Sequence, residues 1–581
     1  MRNKLIVALA VFAVASVASA GGRNLVRAHV PRGSLDLVAD TQALQAKLIQ
    51  LYGSAAGSEN VYVGSEFCAA CHSAGIATAW RNSKHNQALR RAMPQYSLVP
   101  GKGVVADWDG NGVDDFIQGL DFNQVSSPFD KYKPNAPKLS VENGQYYVTI
   151  GELKMPVIMT QGGTGHWKQR YLVKVPLAGG RLSAENYVSP VQFNEATKEY
   201  VAYNAANWYD GDNLPRFNAA TTASALAANN GSTYSKKCIG CHTAFVDILG
   251  PARDPDNPSL VDYDGDGNFD LVNIGCEACH GPGAQHVISR GDPTKIVNPA
   301  KLSTDEENEI CGQCHSRVKS VPAGAHDWPY NDATGESWYP GSGPLGAFYT
   351  DAGGYWPDGE TSRQHHQQYP DFYRSSKPTS QFHPMRCTEC HRAHSATMQT
   401  TIVSDGVSIP ASVADNTLCL ACHATHGPFE TITKEEVKNY ADNVQKIGAV
   451  VSAHSYHPYG PDRSMGLSRC TKCHMPKTAS SAIAYDIHSH TFDVVPPEKT
   501  LAHQDKGGMP NACAVSCHAT KVNSFGLGLD PSLSTWNQQF DQDLATALMT
   551  YYGPEGLWWQ RSLASSAASN SSYRPPSDDD N

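Results

Sequence analysis

The chain has 581 residues, 40% hydrophobic and 18% charged, with a formal net charge of -10 at pH 7. Roughly two to four domains with buried cores fit that length. The acidic balance argues against a nucleic-acid partner, which needs a basic face, and collagen-like, mucin-like or broadly disordered compositions are excluded.

The N-terminus reads as an address. Arg2 and Lys4 precede an apolar run from Leu5 to Val17, and Ala18-Ser19-Ala20 is a small-residue cleavage pattern. This predicts a secretory signal peptide over residues 1–20, cut after Ala20. The run is too short to favour a membrane span, and no comparable run follows. An N-terminal arm over 21–60 carries Leu44, Leu48 and Leu51 at helical spacing before Gly53.

The segment 61–235 holds a Cys68-x-x-Cys71-His72 motif and then a long stretch without cysteine. Tyr146 to Ile150 and Arg170 to Val175 read as short strands in a small β-rich insert. Residues 236–320 hold three more motifs: Cys238-Cys241-His242, Cys276-Cys279-His280 and Cys311-Cys314-His315. A Gly-, Trp- and Tyr-rich loop region opens 321–425, which ends with Cys387-Cys390-His391 and Cys419-Cys422-His423. In 426–525, Lys434 to Val451 is predicted helical with Thr433 as N-cap. Cys470-Cys473-His474 and Cys513-Cys517-His518 follow. The last segment, 526–581, begins with an amphipathic pattern (Leu533, Trp536, Phe540, Leu544, Leu548) after Asp530-Pro531. It ends in a Ser/Ala/Pro/Asp-rich tail expected to be disordered.

All sixteen cysteines fall in these eight pairs, so none is left for a disulfide framework. Each pair is followed directly by His. Two thiols one turn apart can add to the two vinyl groups of one haem, and the adjacent His then sits under the iron. C-x-x-C-H is the c-type haem attachment signal. Zinc knuckles and redox dithiols are the alternatives, but neither needs a His after every second Cys. Seven motifs have the regular spacing. The eighth has three residues between its cysteines and needs a bulged loop. Eight covalent haem c groups are expected, in a mostly irregular and α, haem-packed fold.

The 23 histidines exceed the eight motif positions by fifteen. Haem irons need sixth ligands, and His is a frequent donor. The candidates taken forward are His85, His286, His394, His426, His366, His457, His488 and His490. His383, His454, His503, His166, His326, His365 and His29 form the wider pool. Met385 and Met475 lie near motifs, but packing is the simpler reading of both.

Two Asp-rich loops resemble EF-hand-type calcium loops. Asp107, Asp109, Asn111 and Asp115 occupy positions 1, 3, 5 and 9 of the first, with Gly112 at 6. Asp262, Asp264, Asp266 and Asp270 do the same in the second, with Gly267 at 6. Ca²⁺ wants several oxygens from a tight turn. Position 12 is Gln118 and Asn273 instead of Glu, which removes the bidentate ligand. Structural Ca²⁺ is expected, with solvated turns as the alternative.

Several segments carry a family resemblance. Cys276-Glu-Ala-Cys279-His280-Gly-Pro-Gly-Ala-Gln-His286 and Trp80-Arg-Asn-Ser-Lys-His85 resemble segments of multihaem cytochromes of the tetrahaem cytochrome c-554 type. His166-Trp-Lys-Gln-Arg-Tyr171, Asn207-Trp-Tyr-Asp210, His365-His-Gln-Gln-Tyr369, Cys473-His-Met-Pro-Lys477 and Pro510-Asn-Ala-Cys513 are similar to other recurrent pieces. The resemblance implies mostly bis-His haems in closely stacked pairs, with His286 and His85 as axial ligands.

Three functions follow as expectations. The first is an electron conduit in the periplasm or outside the cell, with other cytochromes or a quinol-linked donor as redox partners. The second is a multihaem oxidoreductase for a small nitrogen or sulfur compound. The absence of a C-x-x-C-K motif counts against its nitrite-reductase form. The third is a self-assembling subunit of an extracellular cytochrome filament. No catalytic residue is nominated.

Overall fold

The computed structural model describes residues 62, 65–92, 98–99, 104–105, 107, 112–122, 127–244, 253–254, 257–261, 270–271, 273–375, 377–459, 466–518, 536 and 539–552. The expected signal peptide, the helix over 41–52, most of both Asp-rich loops, the Asp530-Pro531 start and the C-terminal tail lie outside these residues.

The cysteine-free stretch folds into a seven-stranded antiparallel sheet. Its strands are β1 (Leu89–Arg91), β2 (Lys138–Glu142), β3 (Gln145–Ile150), β4 (Leu153–Gly162), β5 (Lys168–Val173), β6 (Tyr187–Asn194) and β7 (Glu199–Ala202). β2 to β7 pair in sequence order, and β1 joins the far end of β4 through Leu89 opposite Gln161. Alternation drives β3, where Tyr146, Val148 and Ile150 are buried and their neighbours are not. The β2–β3 turn is Asn143-Gly144, both at positive φ, as a right-twisted hairpin requires. The strand predicted at 146–150 is present, the one predicted at 170–175 runs over 168–173 instead, and the insert is larger than expected. β6 is buried at all eight positions, so no alternation marks it in the sequence.

Both faces of the sheet are covered. One packs on Phe116, Phe122, Tyr171, Trp208 and Tyr209. The other sets Met159, Leu172 and Val188 against Cys238, Ile239 and Trp328. The sheet is therefore a wall built against the second haem motif.

The rest of the chain is mostly short helices and loops. Seven motifs lie on helices of four to nine residues, such as Cys276–His280 and Thr304–Gly312. Helices this short are marginal alone in water, so packing around the motifs must hold them. The predicted helix over 434–451 is two helices, Lys434–Lys438 and Tyr440–Ser455, broken at Asn439. Thr433 does cap the first, in a reciprocal capping box with Glu436. Ile447 and Val451 then pack on Leu420 and Ala421 of the sixth motif. A late helix spans Gln539–Tyr552 and packs on the helix Pro497–Ala502. Among the described residues, no helix is long and apolar enough to cross a membrane.

Candidate multihaem centre

Four motif histidines face a second histidine ring. His72 faces His286 at 6.4 Å between centroids and 18° between planes. His280 faces His394 at 6.3 Å and 6°. His391 faces His490 at 6.4 Å and 26°. His474 faces His454 at 6.1 Å and 4°. Direct ring stacking would be closer. Two imidazoles sharing one metal, each bonded at about 2.0 Å through a ring nitrogen, have centroids roughly 6 Å apart. The gaps fit an iron at each midpoint, with the attachment thiols one helical turn away.

The other ring nitrogens are engaged in a way that suits this. Nδ1 of His280 is 2.9 Å from the Val297 carbonyl oxygen, and Nδ1 of His286 is 2.9 Å from that of Asp292. Nδ1 of His474 lies 3.0 Å from the Phe492 carbonyl oxygen, and Nδ1 of His490 lies 3.1 Å from that of His488. An Nδ1–H donating to a carbonyl fixes the tautomer that leaves Nε2 bare for a metal. Desolvation pushes the His490 pKa down to about 3 and those of His85 and His242 to about 4. A neutral ring is the ligating form.

The cysteines give the order of the motifs in space. The Cys68 and Cys276 thiols are in hydrogen-bond contact, which joins motifs one and three. Cys311 with Cys387 joins four and five, and Cys419 with Cys470 joins six and seven. Cys279 lies beside Cys311, and Cys390 beside Cys419, linking three to four and five to six. Ser516 Oγ donates to the Lys472 carbonyl at 2.5 Å, linking seven to eight. Motif two leaves this line. Its Cys241 contacts Cys314 of motif four. The path runs one, three, four, five, six, seven, eight, with two off the line beside three and four, where Ala278 packs with Cys238 and Cys241.

One local device recurs along that path. Three residues before the first Cys of motifs one, four and six stand Ser65, Asn308 and Asn416. Each side-chain oxygen accepts the backbone N–H of the first Cys in the next motif in space. Cys276 N–H donates to Ser65 at 3.0 Å, Cys387 N–H to Asn308 at 2.8 Å and Cys470 N–H to Asn416 at 2.9 Å. Each would otherwise be an unpaired helix-terminal donor. The bond thus caps one motif with a residue of its neighbour and sets their spacing.

Glycines inside two motifs admit aromatic rings. A Cβ on Gly240 would lie 2.3 Å from the Trp328 ring, and one on Gly312 would lie 2.8 Å from the Tyr369 ring. Trp80 Nε1 donates to the Ile274 carbonyl at 2.9 Å, tying the segment before His85 to motif three.

The remaining candidates are placed as follows. His85 lies near His315, and His366 near both His242 and His315. His426 is near His423, with its Nδ1 3.0 Å from the Ala424 carbonyl oxygen. His457 Nδ1 is 2.7 Å from the Ser455 carbonyl oxygen, and His488 Nδ1 is 2.5 Å from that of Met475. Cys517 and His518 lie on the turn Ala514–His518. His454 was only in the wider pool from sequence, yet it faces His474. Its signal is the helix Tyr440–Ser455, whose last turn carries it.

Of the Asp-rich loops, only edges are described. Asp107 Oδ2 accepts the Gly112 N–H at 2.9 Å on the surface, whereas Asp115 is buried near Arg90 and Glu195. Asn273, at position 12 of the second loop, spends its amide on β1. It accepts Leu89 N–H at 2.7 Å and donates to Leu89 O at 3.0 Å. Among the described residues, no three His, Cys, Asp or Glu are grouped to hold a metal ion.

Covalent-haem motifs in mutual contact, with histidines facing histidines, define a c-type cytochrome of many haems. The Cytochrome c554 and c-prime family matches residues 194–281, which carry motifs two and three. Over 158 residues, 26% of this chain, the sequence is 23% identical to the multiheme cytochrome MtrA of Shewanella baltica, and spans 43% of that protein's length. The outer cell wall cytochrome OcwA aligns over 88% of this chain and 92% of its own, at 21% identity and a TM-score of 0.41. The undecaheme cytochrome from the S-layer of Carboxydothermus ferrireducens aligns over 85% of this chain and 63% of its own, at 16% identity and a TM-score of 0.31. Over these segments the chain is similar to multihaem c-type cytochromes.

Proposed function

We propose that the protein is an exported octahaem cytochrome that carries electrons along the motif order one, three, four, five, six, seven, eight. The observation that carries this reading is the set of four facing histidine pairs at 6.1 to 6.4 Å. A haem iron held by two imidazoles has no open position, so it exchanges electrons without binding a substrate. Continuous contact between motifs keeps each transfer short. The signal-peptide pattern of residues 1–20 supports a location in the periplasm or outside the cell, where other cytochromes or a quinol-linked donor would be its partners. MtrA, by its name, is likewise a multiheme cytochrome.

The residues assigned to the haems are the eight motif triplets. The sixth ligands are His286 to the iron of motif one, His394 to three, His490 to five and His454 to seven. His85 is assigned to motif four and His366 to motif two, on proximity. The Asp-rich loops are read as Ca²⁺ sites, and an ion in the second, which ends just before Cys276 in the sequence, would brace motif three. The test of the central reading is electron paramagnetic resonance of the oxidised protein, together with intact mass. Eight haem additions and a mainly low-spin spectrum are expected. A majority of high-spin irons would overturn it.

A further inference from the structure

Lys434 is a lysine taken off the surface. It is 6% exposed and opens the helix Lys434–Lys438. The Thr433–Glu436 capping box fixes where that helix begins. Val437, one turn on, packs with Ile409, Leu420 and Ala421. The Lys434 stem is thereby held against the helix Thr417–His423, which carries motif six.

Its ammonium is aimed at the backbone of that motif. Nζ donates to the Ala421 carbonyl at 2.6 Å and to the Cys422 carbonyl at 2.9 Å. Carbonyls in the last turn of a helix lack intrahelical partners, and a cation there meets the negative end of the helix dipole. A third acceptor, Asp405 Oδ2, lies 3.9 Å from Nζ. Asp405 stands with Gly406 in the two-residue turn between the paired strands Thr401–Ser404 and Val407–Pro410, and its side chain is 73% exposed. Three acceptors suit the three donors of an ammonium.

The cation is therefore matched by protein atoms and needs no haem propionate as counter-charge. The other lysine buried to this degree among the described residues, Lys174, donates to the Ala184 carbonyl in the insert, away from the motifs. Lys434 also lies near His423, the next residue after Cys422. A ferric haem gains one electron on reduction, and a fixed cation nearby favours that added negative charge. Burial strengthens the interaction, because little water or salt screens it.

We infer that Lys434 sets the potential of haem six, raising it above the value its ligands alone would give. The step it favours is ferric haem six taking one electron, with no proton moved and no ligand exchanged. An electron passing from haem five to haem seven is then held more tightly at six. Burial and charge around an iron are among the levers by which a protein tunes it. The inference rests on the reading that motif six carries haem, and it gives the proposed path a feature that the attachment motifs do not encode.

The experiment is a spectroelectrochemical titration of the secreted, haem-loaded protein, resolved into component midpoint potentials. Lys434→Met should move one component toward the ferric form by about tenfold in its reduction equilibrium, or ~59 mV for one electron. Lys434→Arg should keep the wild-type value. Asp405→Asn removes the partial counter-charge at a positive-φ turn position that Asn tolerates. It should move the same component by a smaller amount in the opposite direction, and it keeps the test open if Lys434→Met does not fold. A lysine that only capped the motif helix would not give shifts of opposite sign. Unchanged potentials in Lys434→Met, an equal fall in Lys434→Arg, or no rise in Asp405→Asn would overturn the assignment. Intact mass separates the two readings. A wild type lacking the haem on Cys419 and Cys422 strikes the octahaem proposal, whereas a full set with unmoved potentials strikes this one.

Discussion

Asn416 shows how much one side chain can fix in this molecule. It is fully buried at positive φ, accepts Cys470 N–H and donates to the Ser468 carbonyl at 3.0 Å. Asn416→Ala leaves a buried donor and acceptor unpaired, which costs about 1–3 kcal/mol. The expected result is a lower melting temperature and a changed Soret exciton signal in circular dichroism, because the spacing of haems six and seven relaxes. Glu195 bears on pH instead. Its Oε1 accepts Gly163 N–H at 2.8 Å, and desolvation raises its pKa from 4.5 to about 7. Between those values the folded state holds a proton that the unfolded state has lost, so stability falls as pH rises. The total is about 3 kcal/mol. Glu195→Gln should flatten the melting temperature between pH 4.5 and 7. An unchanged slope would assign that dependence to other groups.

At the scale of elements, the haem-attachment helices were legible because their chemistry needs contiguous residues. Facing ligands were only partly so. His286 lies six residues from His280 in sequence, yet it faces His72, and it is His394 that faces His280. Proximity along the chain names candidates but cannot say which iron each serves. His454 depends wholly on how the helix Tyr440–Ser455 docks on motif six. His454→Ala should convert one iron to high spin and admit carbon monoxide, with the change assigned to motif seven. Strands β3 and β5 were legible as short runs between turn residues, but β6, buried at every position, was not, so the extent of the sheet was hidden. Packing at Gly240 was hidden as well. Gly240→Ala drives a methyl into the Trp328 ring, a typical overpacking cost of about 1–3 kcal/mol, read as a lower melting temperature. For the Asp-rich loops, a chelator should lower the melting temperature of the wild type and act less on Asp264→Ala. Equal responses would remove Ca²⁺ from the second loop.

For the whole molecule, the sequence could count haem sites but not arrange them. Order in space comes from contacts between residues far apart in the chain, such as Cys68 with Cys276 and Cys241 with Cys314. Such contacts leave no periodic trace. The expected stoichiometry remains directly measurable. Intact mass should give eight haem additions on a chain beginning at Gly21. Seven additions with free thiols at Cys513 and Cys517 would remove the motif with the long spacing.

The side position of motif two sets how the molecule fails. In the proposed order, the haems of the main path would be connected in series, so losing an interior one would break the circuit. Haem two would stand beside haems three and four and could hold or release a charge while current passes it. Deleting its attachment with Cys238→Ala and Cys241→Ala should leave end-to-end conduction within about a factor of ten and lower the number of electrons stored by one. The matching pair at motif four, Cys311→Ala and Cys314→Ala, should instead isolate the two halves, so that a donor at one end no longer reduces the haems at the other.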